Sequence, residues 1–477
     1  MNTSYASTQP SNPLNNINGV VPDSLKYIHK PSAIPAYSET SVYMPDNGSS
    51  FSPNLAPTIN LPIRSPPNSF VDMTQSYLML TIKNTSTAVG TTATPNQLAS
   101  SPDNKHLFFD SGNVSSIIRT LKILSGGTTI SELGNKYHTL ASLLLSNNVS
   151  DDYLRVQSIL GGCAEYDTLT GGPTVYLVSS NNFLTGGTTW ADNAGESKTF
   201  IVPLISGFLN GSKMLPTHFT ANSFITLQIG LTPANEAFIM KTSTVRTSQT
   251  LNYEITNVRF FAKTVFLNDS AVMDRITGTM LSEGKLSMCV PEYSNVNIPF
   301  TLVGGTSRVN INIPCRYQVL RSILCVMVPQ TTSDTDCNTQ GSKYGLKSYQ
   351  YSVGGRNLQV IDCSGNAVQA YCEYLKCFNT LGNVNVSSNC SLSTWNIANA
   401  NATGAPKRGS FCIAQNFENF AHTDALESGM NTQALSLNIN LALEFEGATA
   451  NDLMMAVFFN YDTIYELYGD SSFIVKA

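Results

Sequence analysis

An ordered series of short matches between the two halves of this 477-residue chain constrains its fold more than any other feature. Leu121-Lys-Ile-Leu-Ser-Gly126-Gly127 in the first half answers Tyr349-Gln-Tyr-Ser-Val-Gly354-Gly355 in the second. An amphipathic segment follows each. Tyr137, Leu140, Ala141 and Leu144 stand at i, i+3, i+4 and i+7, and Val368, Tyr371, Cys372 and Leu375 repeat that spacing. The spacing predicts short helices over Tyr137–Leu145 and Val368–Phe378, each laying one apolar face on a sheet. Next, Phe200-Ile-Val-Pro-Leu answers Phe411-Cys-Ile-Ala-Gln. Leu227, Ile229 and Leu231 then match Leu437, Ile439 and Leu441, and Val258-Arg-Phe260-Phe261 matches Ala456-Val-Phe458-Phe459. The separation of matched segments shrinks along the chain. The first copy therefore carries extra loop residues, mostly between its helix and Phe200 and fewer between Leu231 and Tyr253. A shared order of this kind is the mark of a duplicated unit.

The unit is built of strands. Thr58–Ile63, Tyr77–Lys83, Ile118–Leu124, Phe200–Ile205, Phe224–Leu231, Tyr253–Phe266, Arg308–Ile313, Ile323–Val328, Phe411–Gln415, Leu435–Phe445 and Leu453–Asn460 read as strands. Most alternate apolar and polar residues, as half-buried strands do. Glycine pairs at Gly126–Gly127, Gly161–Gly162, Gly171–Gly172, Gly186–Gly187, Gly304–Gly305 and Gly354–Gly355 mark turns or bulges. Each Phe-Phe pair should split across its strand, one ring to each face. The expected architecture is all-β: two tandem eight-stranded antiparallel jelly rolls, each with a short helix in a loop. Its parts are an N-terminal arm (1–34), a first jelly roll (35–268), a linker (269–285, near Asn268–Lys285) and a second jelly roll (286–477). Two unrelated β-sandwiches are the alternative.

Composition narrows the function. Charged residues are only 12% and the net charge is −5. A charge-poor surface suits a chain that packs against copies of itself, since fewer charges are desolvated at each contact. Residues 1–31 contain two lysines and no basic block, so strong direct nucleic-acid binding is not expected. They also lack the pattern of a secretory signal. No run of eighteen apolar residues predicts a transmembrane helix. Nine of ten cysteines lie at or beyond Cys289 and none forms a CxxC, which reads as buried reduced thiols.

No motif nominates a catalytic, cofactor-binding or metal-binding residue, and the chain is not expected to be an enzyme. Phosphate-binding, dinucleotide, zinc-protease and nucleophile-elbow patterns are all missing. Asp334-Thr-Asp336-Cys-Asn338 begins like a calcium loop. It has Thr339 where the loop needs Gly and Gly345 where it needs Glu. Asp151, Asp152, Glu165 and Asp167 are read as loop carboxylates. Asn-x-Ser/Thr triplets at Asn84, Asn113, Asn148, Asn210, Asn385 and Asn401 follow from the composition and do not imply glycosylation. Asn401–Arg408 reads as an exposed loop suited to an inter-subunit contact.

Several stretches resemble a known family. They are Phe70-Val-Asp72-Met-Thr-Gln-Ser-Tyr77-Leu, Ser115-Ser-Ile-Ile-Arg-Thr-Leu-Lys-Ile-Leu running into Gly126-Gly-Thr-Thr-Ile-Ser-Glu-Leu, Tyr137-His-Thr-Leu-Ala-Ser-Leu-Leu, Leu426-Glu-Ser-Gly429-Met-Asn431-Thr and Phe458–Tyr461. With the duplicated order, they look like the double jelly-roll major capsid proteins of double-stranded DNA viruses, of the polinton-like virus, adintovirus and virophage type. The resemblance implies self-assembly into trimeric, pseudo-hexameric capsomers of an icosahedral virion shell. It also implies penton and minor capsid proteins as partners, assembly in the host cytoplasm or nucleus, and no cofactor. A carbohydrate-binding β-sandwich protein, or a minor or scaffold capsid component of similar fold, is the alternative.

Overall fold

The computed structural model describes residues 36–64, 66–85, 87–88, 107–110, 113–148, 166–168, 175–177, 197–202, 204–211, 213–220, 224–240, 249–250, 252–267, 270–331, 339, 341–381, 390–396, 410–418, 429–433, 438–448 and 450–477. The principal strands of the first half are β1 (Ala36–Tyr43), β2 (Thr58–Ile63), β3 (Ser69–Asn84), β4 (Ile118–Ser125), β5 (Thr128–Leu133), β6 (Ser197–Val202), β7 (Ile225–Leu231) and β8 (Tyr253–Leu267). The second half has β9 (Lys285–Leu302), β10 (Gly305–Ile313), β11 (Leu320–Pro329), β12 (Leu346–Val353), β13 (Arg356–Asp362), β14 (Ile413–Asn416), β15 (Ile439–Ala448) and β16 (Asn451–Tyr468). A further strand, β17 (Phe473–Lys476), pairs with the end of β16.

The sheets repeat strand for strand. The first half has sheets ordered β1-β8-β3-β6 and β2-β7-β4-β5, all antiparallel. The second half has β9-β16-β11-β14 and β10-β15-β12-β13, also antiparallel. Each of β9 to β16 thus takes the place of the strand eight before it. Two four-stranded sheets with this order, packed face to face, form a jelly roll, and the chain holds two. Among the described strands, none before residue 268 pairs with one after it.

Local chemistry sets the corners. The paired glycines Gly126–Gly127 and Gly354–Gly355 join β4 to β5 and β12 to β13. Their φ values are 55° and 86° in the first copy and 57° and 81° in the second. A two-residue hairpin with both central φ positive matches strand twist, and glycine adopts it without steric cost. The helices fall between the fifth and sixth strands of each copy: α1 (Tyr137–Asn148) and α5 (Val368–Cys377). Leu140, Ala141 and Leu144 of α1 are buried, as the stripe requires, whereas α5 buries Ala370 and Tyr374 and leaves Val368 of its expected stripe 55% exposed, so its inward face is turned away from that stripe. Strand alternation is equally direct. Leu78, Leu80 and Ile82 point into one core, and Leu441, Leu443 and Phe445 into the other.

Besides the inward face of α5, the structure departs from the sequence expectations in four places. Strands β1 and β9, which sequence patterning passed over, are edge strands. Polar residues fill β1, and β9 carries Pro291 and Pro299, which an edge tolerates. The segment expected as a linker is a helix, α4 (Ser270–Glu283), ended by Gly284 at φ 72°. The buried Met273 and Met280 lie two turns apart on one α4 face, and that spacing was its sequence signal. The third and fourth concern register. Leu121 pairs with Ile229, and its counterpart Tyr349 pairs with Leu443. Leu227 and Ile229 therefore correspond to Leu441 and Leu443, four residues beyond the match in sequence. In the same way Phe261, which pairs with Tyr77, corresponds to Phe458, which pairs with Leu324. Phe260 is buried and Phe261 lies on the opposite face, stacked on Tyr77 at 5.0 Å. Phe458 and Phe459 are both buried, because both faces of β16 are covered at that point.

No helix among the described residues is long and apolar enough to cross a membrane. Loop positions 151, 152, 165, 334–338, 385 and 401–408 lie outside the described residues.

Candidate interaction surfaces: a sealed seam and an open face

Strand β9 holds the seam between the two jelly rolls. Glu292, in its middle, is 1% exposed. Its carboxylate accepts from the backbone N–H groups of Gly207 (2.8 Å), Phe208 (3.1 Å) and Tyr293 (3.1 Å). It also accepts from the hydroxyls of Ser131 (3.2 Å), Ser206 (3.3 Å) and Tyr465 (2.8 Å). Gly207 and Phe208 open the short helix α2 (Gly207–Asn210), whose first N–H groups have no partner within the helix. A buried carboxylate is costly unless its oxygens are hydrogen-bonded, and here six donors from both halves converge on it. No Lys or Arg among the described residues forms an ion pair with Glu292. Burial, and then the adjacent Glu292 charge, push the Tyr465 phenol far above its ordinary range.

Close approach makes this contact possible. A Cβ on Gly207 would fall 1.9 Å from the Pro291 carbonyl oxygen, and one on Gly211 2.7 Å from Val290 Cγ1. Only glycine lets α2 rest on the β9 backbone. Further anchors cross the seam. Asn295 Oδ1 accepts from Gly134 N (2.9 Å) and its amide donates to the Asn135 carbonyl. Asn147, on α1, donates to the Tyr374 hydroxyl on α5. Asp110 accepts from the Thr339 backbone (3.1 Å) and hydroxyl. Ser471 donates to the Phe219 carbonyl (2.6 Å). Phe208 meets Tyr465 edge-on at 4.9 Å. Beside these contacts runs an open, mostly apolar groove of about 280 Å³ between Leu144, Ile205, Gly211, Pro291 and Tyr293.

The corresponding face of the first jelly roll is open. Val42, Phe261 and Tyr77 form one cross-strand row on its outer side. Val42 is 45% and Tyr77 37% exposed. The matching row in the second half is Asn295, Phe458 and Leu324, where Phe458 is fully buried.

A second buried polar cluster lies inside the first half. Lys136, His138 and Glu236 are all buried. The Lys136 ammonium donates to Glu236, and His138 Nε2 sits 3.5 Å from Glu236 Oε1. The other ring nitrogen, Nδ1, donates to the Ile118 carbonyl at 3.2 Å. Burial holds the His138 imidazole below its ordinary pKa against the pull of Glu236. Burial alone would raise the Glu236 carboxyl, but His138 and Lys136 hold it far below the usual carboxylate range. The cluster ties α1 to the short helix α3 (Ala234–Ala237) and to the start of β4.

Among the described residues no group of three His, Cys, Asp or Glu side chains is placed to hold a metal ion. The eight described cysteines are free; Cys289 is exposed and Cys315, Cys325, Cys363, Cys390 and Cys412 are buried. Burial pushes the Cys315 thiol up to about 11 and those of Cys325 and Cys363 up to about 12. Of the Asn-x-Ser/Thr positions, Asn113 caps the 3-10 turn Val114–Ile117 by accepting from Ser115 N, and Asn210 accepts from Ser206 N. Met430, in the stretch that resembles the capsid family, bridges to Leu320 on β11. Sequence reasoning missed Glu292. Its signal was an acid inside a long strand-like run, with a proline before it.

No known family profile matches the chain, and no curated protein matches it in sequence. Solved structures do match. The Faustovirus major capsid protein aligns with a TM-score of 0.58 at 11% identity, over 95% of this chain and 94% of that one. A chain of the Sputnik virophage aligns with a TM-score of 0.59 at 12% identity, over 96% and 92%. The mavirus major capsid protein aligns with a TM-score of 0.54 at 15% identity, over 100% and 95%. Strand order, helix placement and these whole-length alignments together give the chain the double jelly-roll fold found in viral major capsid proteins.

Proposed function

We propose that this chain is a major capsid protein whose trimers form pseudo-hexameric capsomers of an icosahedral virion shell. One observation carries the reading: two strand-for-strand equivalent jelly rolls are locked side by side by a buried, hydrogen-bonded seam. Two similar units per chain give six per trimer, so a threefold assembly presents six similar edges and tiles like a hexagon. The whole-length likeness to capsid proteins supports the same role. On this reading the chain is structural, with no reaction to catalyse. The working division is an arm (1–34), jelly rolls at 35–268 and 286–477, and a joining segment (269–285) that contains α4. Its partners are other copies of itself and the penton and minor proteins of the shell, and its destination is the virion, assembled in the host cytoplasm or nucleus. A net charge of −5 argues against genome condensation by this chain.

Native mass spectrometry of the purified full chain tests the proposal. The expected species is a trimer of about three times the 51.6 kDa chain mass, with hexagonal particles in negative-stain micrographs. A monomer that persists at tens of micromolar would overturn it.

A further inference from the structure

The seam inside the chain has a vacant counterpart. Strand pairing places the two halves in register. Val202 pairs with Leu78, and its counterpart Ile413 pairs with Cys325. Leu78 pairs with Phe260 and Cys325 with Val457. Phe260 pairs with Tyr43 and Val457 with Val296. Three ladders therefore align Tyr43 with Val296, and counting back along the strands aligns Glu39 with Glu292. The local sequences agree: Ser38-Glu39-Thr40-Ser41 answers Pro291-Glu292-Tyr293-Ser294. Glu39 faces Thr264 across the ladder as Glu292 faces Tyr461.

Equivalent position does not mean equivalent surroundings. Glu292 is buried under six donors, whereas Glu39 is exposed and no described residue hydrogen-bonds to it. The donor side shows the same asymmetry. Leu133 pairs with Leu121, and Ile361 with Tyr349, so Ser131 on β5 corresponds to Gln359 on β13. Ser131 is buried against Glu292, and Gln359 is exposed. One half of the chain thus offers an unused acceptor face, and the other an unused donor edge.

We infer that Glu39 of one copy docks against the β13 edge of a second copy and receives the Gln359 side-chain amide, as Glu292 receives Ser131 within the chain. The occupant is a second copy because the open face matches one that this same chain already covers with its own first half. The contact continues the internal interface from half to half, now between molecules, and it is heterologous. The inference rests on the trimeric reading and names the residues through which the trimer closes.

Two variants and a crosslink test it. Glu39→Arg is expected to raise the concentration needed for half-assembly at least about tenfold. Its circular dichroism and unfolding midpoint should stay those of the parent, since the side chain is exposed. The double variant Glu39→Cys/Gln359→Cys is expected to give covalent trimers on mild oxidation, and neither single variant should. A parent trimer that survives Glu39→Arg unchanged and yields no crosslink overturns the inference and leaves the trimeric reading standing. A parent chain that stays monomeric overturns both.

Discussion

The same fold is solved twice in this chain, and the two copies differ most along one sheet edge, where β1 and β9 lie. In the second jelly roll that edge is sealed: Glu292 is saturated with donors and α2 rests on the β9 backbone, while on the opposite sheet face Phe458 and Leu324 are buried. In the first, the matching Glu39 and Tyr77 are exposed, on opposite faces of the sheet, and Phe261 is half-buried. The strands, the hairpin glycines and the helix positions do not distinguish the copies. What differs is which side of each copy meets its neighbour in the same chain. A duplicated domain that binds its twin necessarily leaves one face of each kind without a partner at the two ends.

The sharpest way to break the comparison is to remove the acid from each copy. Glu292→Ala strips the acceptor from several buried donors and should cost about 3 kcal/mol or more of stability. Glu39→Ala should change the stability of the isolated chain by less than about 0.5 kcal/mol. Urea unfolding of both variants reads the difference, and similar losses would mean that the seam is not the distinguishing feature.

Within the cores the copies should behave alike. Leu227 and Leu441 occupy matching positions, and both are fully buried. Leu→Ala at either site should cost about 2–5 kcal/mol through lost burial and the cavity left behind. The pair is best compared in denaturant titrations under identical conditions. A large cost at one site with almost none at the other would break the proposed register.

Acid should separate the copies by a smaller amount. The Lys136–His138–Glu236 cluster lies in the first half only. His138 has its pKa lowered by burial, so below its ordinary value near 6.5 the unfolded chain takes up a proton that the folded chain refuses. Stability therefore falls as the pH drops below about 6.5. Glu236 has its pKa lowered as well, so its contribution is present above its ordinary 4.5 and is lost below it. Both effects weaken the first half in acid. His138→Gln should flatten the dependence between pH 6.5 and 5, by at most about 1.4 kcal/mol per pH unit. Hydrogen exchange resolved along the chain at pH 7 and pH 5 checks this, and equal loss of protection in both halves would contradict it.

Much of the fold was legible in advance because its signals are local. Alternation in Leu78–Ile82 and Leu227–Leu231, the double glycines and the apolar stripe of α1 each depend on a few neighbouring residues. The duplication followed from their order. The register did not. A pattern of period two looks the same after a shift of four residues, so Leu227 was matched to Leu437 when its ladder partner points to Leu441. A Phe-Phe pair resembles its copy even when the inward and outward rings are exchanged, and only the pairing of Phe458 with Leu324 resolves that.

The sequence by itself determined an all-β chain, its duplication, the hairpins and the place of the helix in each copy. Only the tertiary structure decided that Glu292 is buried while Glu39 is exposed, and that Gly207 must remain glycine for α2 to lie on β9. The reason is physical. Alternation and turn chemistry act between residues close in the chain, whereas the worth of a carboxylate depends on donors that arrive from more than eighty residues away.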